Sequence, residues 1–147
     1  MPSAFNPFEL LNIEPHYHVE EEMLLQHYQS IMKKLHPDQF LTQPEKDRAM
    51  ILSAQVNDAY GILKDSLKRA EALLNILDIA IDSVSLDFES LENLMMLQEE
   101  NDKQKIQEAS EQAQAEFIVA SQSQNKNMMQ KSFLVMKYLR RSLEAVG

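Results

Sequence analysis

Apolar positions in this chain recur at intervals of three and four residues, with no regular alternation of the kind that marks a half-buried strand. Over residues 20–35, Leu24, Tyr28, Ile31 and Leu35 form one stripe with Leu25 and Met32 beside it, which predicts an amphipathic helix. A second helix starts behind Thr42 or Gln43, where Pro44 suits an early helical position, and Ile51, Ala54, Ala59, Ile62 and Leu63 mark its apolar side. Beyond it, Leu67, Ala70, Leu73 and Leu74 share another apolar face, which leaves Arg69 and Glu71 outside. Near the start, Asn6 suits an N-cap, Pro7 the first helical position, and Glu9 a hydrogen bond back to the cap. Phe5, Phe8, Leu11 and Ile13 give this short helix its apolar surface, and Glu14-Pro15 is expected to stop it. Val19 then staples onto Leu24, with Glu20, Glu21 and Glu22 in the first turn of the next helix, where the helix dipole favours negative charge.

The second half is helical as well. Residues 76–85 contain Asp78, Asp82 and Ser83 among apolar residues but neither Gly nor Pro, so a short connection without floppiness is expected there. Three helices follow, over about 87–101, 103–121 and 126–145, with Asn125 to Asn127 as the polar turn before the last. The middle one carries Ile106, Ala109, Ala113, Phe117 and Ala120 as its core stripe. Short connections between long helices favour antiparallel neighbours. The expected fold class is therefore all-α: a helical hairpin with short flanking helices over 1–75, a connection over 76–85, and a C-terminal three-helix bundle over 86–147.

Composition narrows the function classes. The 147 residues are 44% apolar, enough for helical cores, and the two glycines and five prolines do not punctuate a sandwich or barrel. With no cysteine, the chain has no disulfide, no thiolate metal site and no cysteine nucleophile, and it cannot hold an iron–sulfur cluster on cysteines of its own. No apolar run reaches the length of a membrane span and no secretory signal opens the chain, so a cytoplasmic location is expected. The net charge of −9 argues against general nucleic-acid binding, which needs clustered Lys and Arg. Locally, 82–116 is acidic with only Lys103 and Lys105 opposing, whereas Lys126, Lys131, Lys137, Arg140 and Arg141 form a basic stretch. A solvated surface is the default expectation for both.

The chemistry-bearing stretch is His36-Pro37-Asp38, between the two predicted helices of the hairpin. Pro37 lacks an amide hydrogen and disfavours the α region for His36, so the first helix ends here and an imidazole and a carboxylate are held outward. No nucleophile, Gly-rich phosphate loop or metal constellation accompanies them, and Asp38 is not expected to reach the ring across the proline. Recognition is the better reading, with a carboxylate suited to a bidentate arginine and an imidazole able to donate or accept. His16 and His18 lack a ligand arrangement around them, so no metal is expected. No cofactor is expected either.

This arrangement resembles the J-domain of the DnaK co-chaperones, with Pro7-Phe8-Glu9-Leu10-Leu11 matching the opening helix, and Ala59-Tyr60, Leu63 and Asp65 the end of the third. The run from Val56 to Leu74, and Leu67-Lys68-Arg69-Ala70-Glu71 within it, is similar to the HscB family, the J-type co-chaperones of iron–sulfur cluster assembly. The resemblance implies that His36, Pro37 and Asp38, with the basic residues Lys33 and Lys34 and nearby His27, meet a DnaK/HscA-type chaperone and stimulate its ATPase. The ATP chemistry would belong to that partner, and this chain would be no enzyme. Lys33 and Lys34 also suit a helix C-terminus for dipole reasons alone. Gln26 and Gln39 stand where many J-domains carry basic residues.

In the bundle, Leu91, Leu94, Met95 and Leu97 crowd the first helix, and Met128, Met129, Phe133, Met136 and Tyr138 the last. Methionine serves equally as core filler and as an adaptable binding surface. The family resemblance implies that Leu91, Met95 and Tyr138 are apolar contacts, and Glu99 an acidic one, for an IscU-like cluster scaffold. Two other readings remain: a J-domain co-chaperone for other clients, and a passive helical adaptor.

Overall fold

The computed structural model describes residues 5–81 and 84–146. Asp82 and Ser83, two of the polar interruptions in the expected connection, lie outside the described residues. Among the described residues all regular structure is helical, in the order α1 (Pro7–Leu10), α2 (Glu21–Lys34), a 3-10 turn (Pro37–Gln39), α3 (Gln43–Lys64), α4 (Ser66–Ile76), α5 (Phe88–Glu100), α6 (Lys103–Gln122) and α7 (Lys126–Val146). No described helix is long and apolar enough to cross a membrane. The chain divides into two compact units, Met1–Ile76 and Leu77–Gly147.

In the first unit α3 is the central element, packed by α1, α2, α4 and the 3-10 turn. Asn6 caps α1, its side chain accepting from the amides of Phe8 and Glu9, with Pro7 at the first helical position. The helix stops earlier than Glu14-Pro15 suggests. Asn12 turns into the left-handed region at φ 55°, and the Ile13 and Asn12 amides close onto the carbonyls of Phe8 and Glu9 at 2.9 and 3.0 Å. That satisfies the last carbonyls of so short a helix before the proline is reached. Val19 and Leu24 are both buried on either side of the Glu20 cap, the positions of a hydrophobic staple.

The α2–α3 hairpin is held by polar aromatics as much as by aliphatics. Tyr28 stacks on Tyr60 with centroids 4.2 Å apart, its hydroxyl donates to Asn57 Oδ1, and Lys64 lies over the outer ring at 5.8 Å. The buried stripe of α3 is Ala49, Val56, Ala59 and Leu63. Ile51 and Ala54, expected on that stripe, are exposed instead, because a helix of 22 residues packed along Ala49 and Val56 turns the positions between them outward. Leu25 is likewise exposed.

Arg69 also departs from expectation. Rather than standing outside α4, it folds back so that Nη1 donates to the Leu63 carbonyl at 2.7 Å, with its guanidinium 5.0 Å over the Tyr17 ring. The chain turns at Asp65, leaving late carbonyls of α3 without helical partners, and the long apolar stem of arginine can reach one. Burial pushes the guanidinium pKa down, opposed by Tyr17, Asp65 and Glu21.

In the second unit α7 packs along α6 and both touch α5. Ile106, Ala113, Phe117 and Ala120 of α6 face Met129, Phe133, Met136 and Leu139 of α7, all buried. Ser110 takes the buried position that Ala109 was expected to hold, and Ala109 packs half-buried against the cluster of Leu94, Ile106 and Leu139. The buried hydroxyls of Ser132 and Ser142 donate to the carbonyls of Met128 and Tyr138 at 2.7 and 3.2 Å, so small polar residues sit in the core without a lost hydrogen bond. Lacking glycine at its stops, the unit places Asp78, Asn101 and Gln124 at positive φ. Ile79 is buried, and Gln130 Nε2 donates to the Ala80 carbonyl at 2.6 Å, which ties the stretch after Ile76 to α7.

Two changes test these packing arguments. Gly61 is exposed within α3 and a Cβ there would meet nothing within 4 Å; Gly61→Ala should stabilise the protein by about 1 kcal/mol in urea unfolding. Arg69→Met should destabilise it by about 2 kcal/mol, since it removes a charged hydrogen bond and leaves a carbonyl unpaired; an unchanged midpoint would show that Arg69 is surface decoration.

Candidate functional site

The His36-Pro37-Asp38 turn is built by two helix ends. Leu35 caps α2, its amide donating to the Ile31 carbonyl at 3.0 Å. His36 is then extended at φ −61°, ψ 137°, the conformation a following proline favours. Gln39 and Phe40 amides close a single tight turn onto the His36 and Pro37 carbonyls at 2.9 and 3.1 Å. Thr42 caps α3, its Oγ1 accepting from the Glu45 amide while the hydroxyl donates to Glu45 Oε1 at 2.7 Å.

Within the turn, His36 Nδ1 accepts the Asp38 amide at 3.2 Å. A neutral ring so engaged carries its hydrogen on Nε2, which is then a donor. Contrary to expectation, the Asp38 carboxylate does reach the ring, with Oδ2 3.5 Å from Nδ1. Proline shortens the path: the tight turn folds residue 38 back over residue 36. At 3.5 Å the approach is longer than an ordinary hydrogen bond, and the carboxylate, 88% exposed, stays open to an external donor. Lys33 and Lys34 are exposed in the last turn of α2 beside it. His27 is different, since its Nδ1 lies 2.9 Å from the Leu11 carbonyl and the ring is half-buried; it pins the chain after α1 onto α2. The nucleophile and orienter of a hydrolytic site are not assembled at the turn, and no group of three or more His, Cys, Asp or Glu able to hold a metal occurs among the described residues.

In the second unit the expected contacts of α5 divide cleanly. Leu94 is buried in the cluster with Ile106 and Leu139, and Leu97 packs on it. Leu91 and Met95 are 39% and 56% exposed. Glu99 is exposed on the same side, since positions 91, 95 and 99 stack over successive turns. Tyr138 of α7 is half-buried against the cluster, and its hydroxyl donates to Gln98 Oε1 at 2.6 Å. Gln98 lies two turns beyond Leu91 on nearly one line, so the tyrosine borders the exposed face. Met129, Phe133 and Met136 are core, whereas Met128 is partly exposed. The sequence pattern did not single out Phe88 or Met96, both exposed on α5; the signal available was an aromatic directly behind the cap residue Asp87.

Comparisons with known proteins bear on both units. The DnaJ domain family model matches residues 6–72. An HscB co-chaperone homolog of Vibrio cholerae is 37% identical over 97 residues, 65% of this chain and 55% of that protein. One of Vibrio vulnificus is 30% identical over 132 residues, covering 88% of this chain and 75% of that protein. This chain belongs to the HscB co-chaperone family. In its alignments with the Vibrio cholerae HscB homologs it spans about half of their length. The fold is that of solved HscB structures: chaperone HscB of Vibrio cholerae superposes with TM-score 0.80 at 23% identity over 96% of this chain and 94% of that one. Human HscB gives 0.85 at 22% over 97% and 81%.

One electrostatic feature of the α5 face is measurable directly. Asp87 caps α5, its Oδ1 accepting the Ser90 amide at 2.8 Å, and its pKa is lowered by the hydrogen bonds from Ser90 and, less, by Lys131 at 3.6 Å. The stabilisation is present above the unfolded carboxylate value of about 3.9 and lost as pH falls through the lower folded value. Acid titration followed at the Ser90 amide by NMR should show that step, and Asp87→Asn, which keeps an acceptor at the cap, should remove it.

Proposed function

We propose that this chain is a J-type co-chaperone that delivers an IscU-like cluster scaffold to a DnaK/HscA-type chaperone in the cytoplasm and stimulates that partner's ATPase. The observation that carries this reading is the His36-Pro37-Asp38 turn, in which the imidazole accepts the Asp38 amide and the carboxylate stands 88% exposed. An arginine of the ATPase is its natural ligand, because a guanidinium fork can take both carboxylate oxygens. Lys33 and Lys34 supply the attraction to an acidic partner surface. His27, held by Leu11, serves by setting α2 against α1. Membership of the HscB family supports the choice of partner and client.

The client surface in this reading comprises Leu91, Met95, Glu99 and Tyr138 of the second unit. An exposed apolar stripe edged by acid suits a partner with an apolar patch beside basic residues. The chain contributes no catalytic group and no cofactor, and nucleic acid is not a partner.

Single-turnover ATP hydrolysis by an HscA-type chaperone is the deciding measurement. This protein should accelerate it, more so with an IscU-like scaffold present, and His36→Gln or Asp38→Ala should return the rate to its basal value while scaffold affinity is unchanged. Leu91→Ala should do the opposite, leaving stimulation without scaffold intact and weakening the scaffold by about tenfold, the cost of a well-placed interface residue. Stimulation indifferent to His36 and Asp38 would refute the assignment of the turn.

A further inference from the structure

The least explained side chain of the second unit is Phe88. It is the first residue of α5 and is 80% exposed, the most exposed aromatic among the large hydrophobics described. Capping does not require it, for Asp87 supplies the acceptor to Ser90. Nor does it belong to the cluster of Leu94, Ile106 and Leu139 or to the half-buried residues packed there. A phenylalanine left in water at a helix start gains nothing from propensity either, since aromatic residues rank below Leu, Glu or Gln.

Its position along the helix is informative. Residues 88, 95 and 99 return to nearly one line, with 91 on one side and 92 and 96 on the other. The exposed face of α5 thus runs Phe88, Leu91, Met95, Met96, with Glu92 and Glu99 set among them. From Phe88 to Glu99 it extends about 16 Å. Apolar area of this kind concentrated on one helix face marks an interaction site rather than scattered surface. The acids set among these residues select against acidic partners and favour one with Lys or Arg beside its apolar patch.

We propose that Phe88 is an anchor of the client surface, extending the stripe of Leu91 and Met95 by one turn toward the start of α5 and inserting its ring into an apolar recess of the basic-edged cluster scaffold. The inference rests on the client assignment made above and adds a specificity-determining residue to it. Rigid aromatic side chains lose little conformational entropy on docking and are over-represented among the residues that dominate interfaces. Glu92, one turn on, then borders the ring, while Glu99 at the far end of the face steers the basic rim.

Titration calorimetry with the full chain and a purified IscU-like scaffold tests this. Phe88→Ser should raise Kd about tenfold, Phe88→Leu should stay close to the parent, and both should keep the parent's far-UV circular dichroism and melting temperature. Parent-like affinity in Phe88→Ser, with Leu91→Ala weakened, overturns the role of Phe88 while leaving the client surface standing. No binding by the parent, or binding indifferent to Leu91 and Phe88 alike, overturns the client assignment and this inference with it. Should Phe88→Ser instead dissolve a self-association seen in sedimentation and leave scaffold affinity unchanged, the ring serves a second copy of the chain and the proposal fails.

Discussion

A helix cannot run through Pro37, and the first unit depends on that single constraint. Proline removes one amide hydrogen, and its ring disfavours the α conformation at His36, so α2 ends at Lys34 and the chain reverses before Thr42 starts α3. Only with the reversal in place can Tyr28 stack on Tyr60 and donate to Asn57. A continuous helix would leave the stripe of α2 facing water. The same constraint shapes the turn chemically: with His36 extended and Asp38 folded back, the imidazole nitrogen accepts the Asp38 amide, and a reactive-looking pair becomes a rigid presentation of one carboxylate.

The two candidate surfaces work by different physics. At the turn the groups are few, charged and exposed, so their contribution to encounter is electrostatic and falls with ionic strength. On α5 the exposed groups are apolar and flexible, and their contribution comes from removing area from water. The proposed function has a use for that division: under it, the charged contact would govern how fast a chaperone partner is met, and the apolar one how long a client stays.

Helix existence and limits were legible where caps are local. The pattern placed the last three helices over 87–101, 103–121 and 126–145, against Phe88–Glu100, Lys103–Gln122 and Lys126–Val146, because Asp87, Asp102 and Asn125 each accept hydrogen bonds from amides of the turn that follows. What escaped was tertiary. Whether Ile51 or Ala49 faces the core depends on where α2 and α1 lie against α3, which no periodicity in α3 alone can decide. Arg69 was misjudged because its charge suggests water, whereas the open Leu63 carbonyl and the Tyr17 face exist only after folding. At the turn, the identity of the residues was plain in the sequence, but the approach of Asp38 to the ring needed the backbone angles.

The sequence of α5 is the least constrained by packing of any helix in its bundle. It buries Leu94 alone among its described residues, whereas α6 and α7 bury whole stripes. Core complementarity therefore sets Leu94, with Leu97 packed half-buried beside it, and leaves the outward positions to solubility or to binding. Solubility would fill the open face with Lys, Glu or Gln, which are also better helix formers than phenylalanine. The face instead holds Phe88, Leu91, Met95 and Met96 in a chain of net charge −9. A bundle helix so weakly committed to its own core, yet so apolar outside it, makes physical sense when its second contact is another protein.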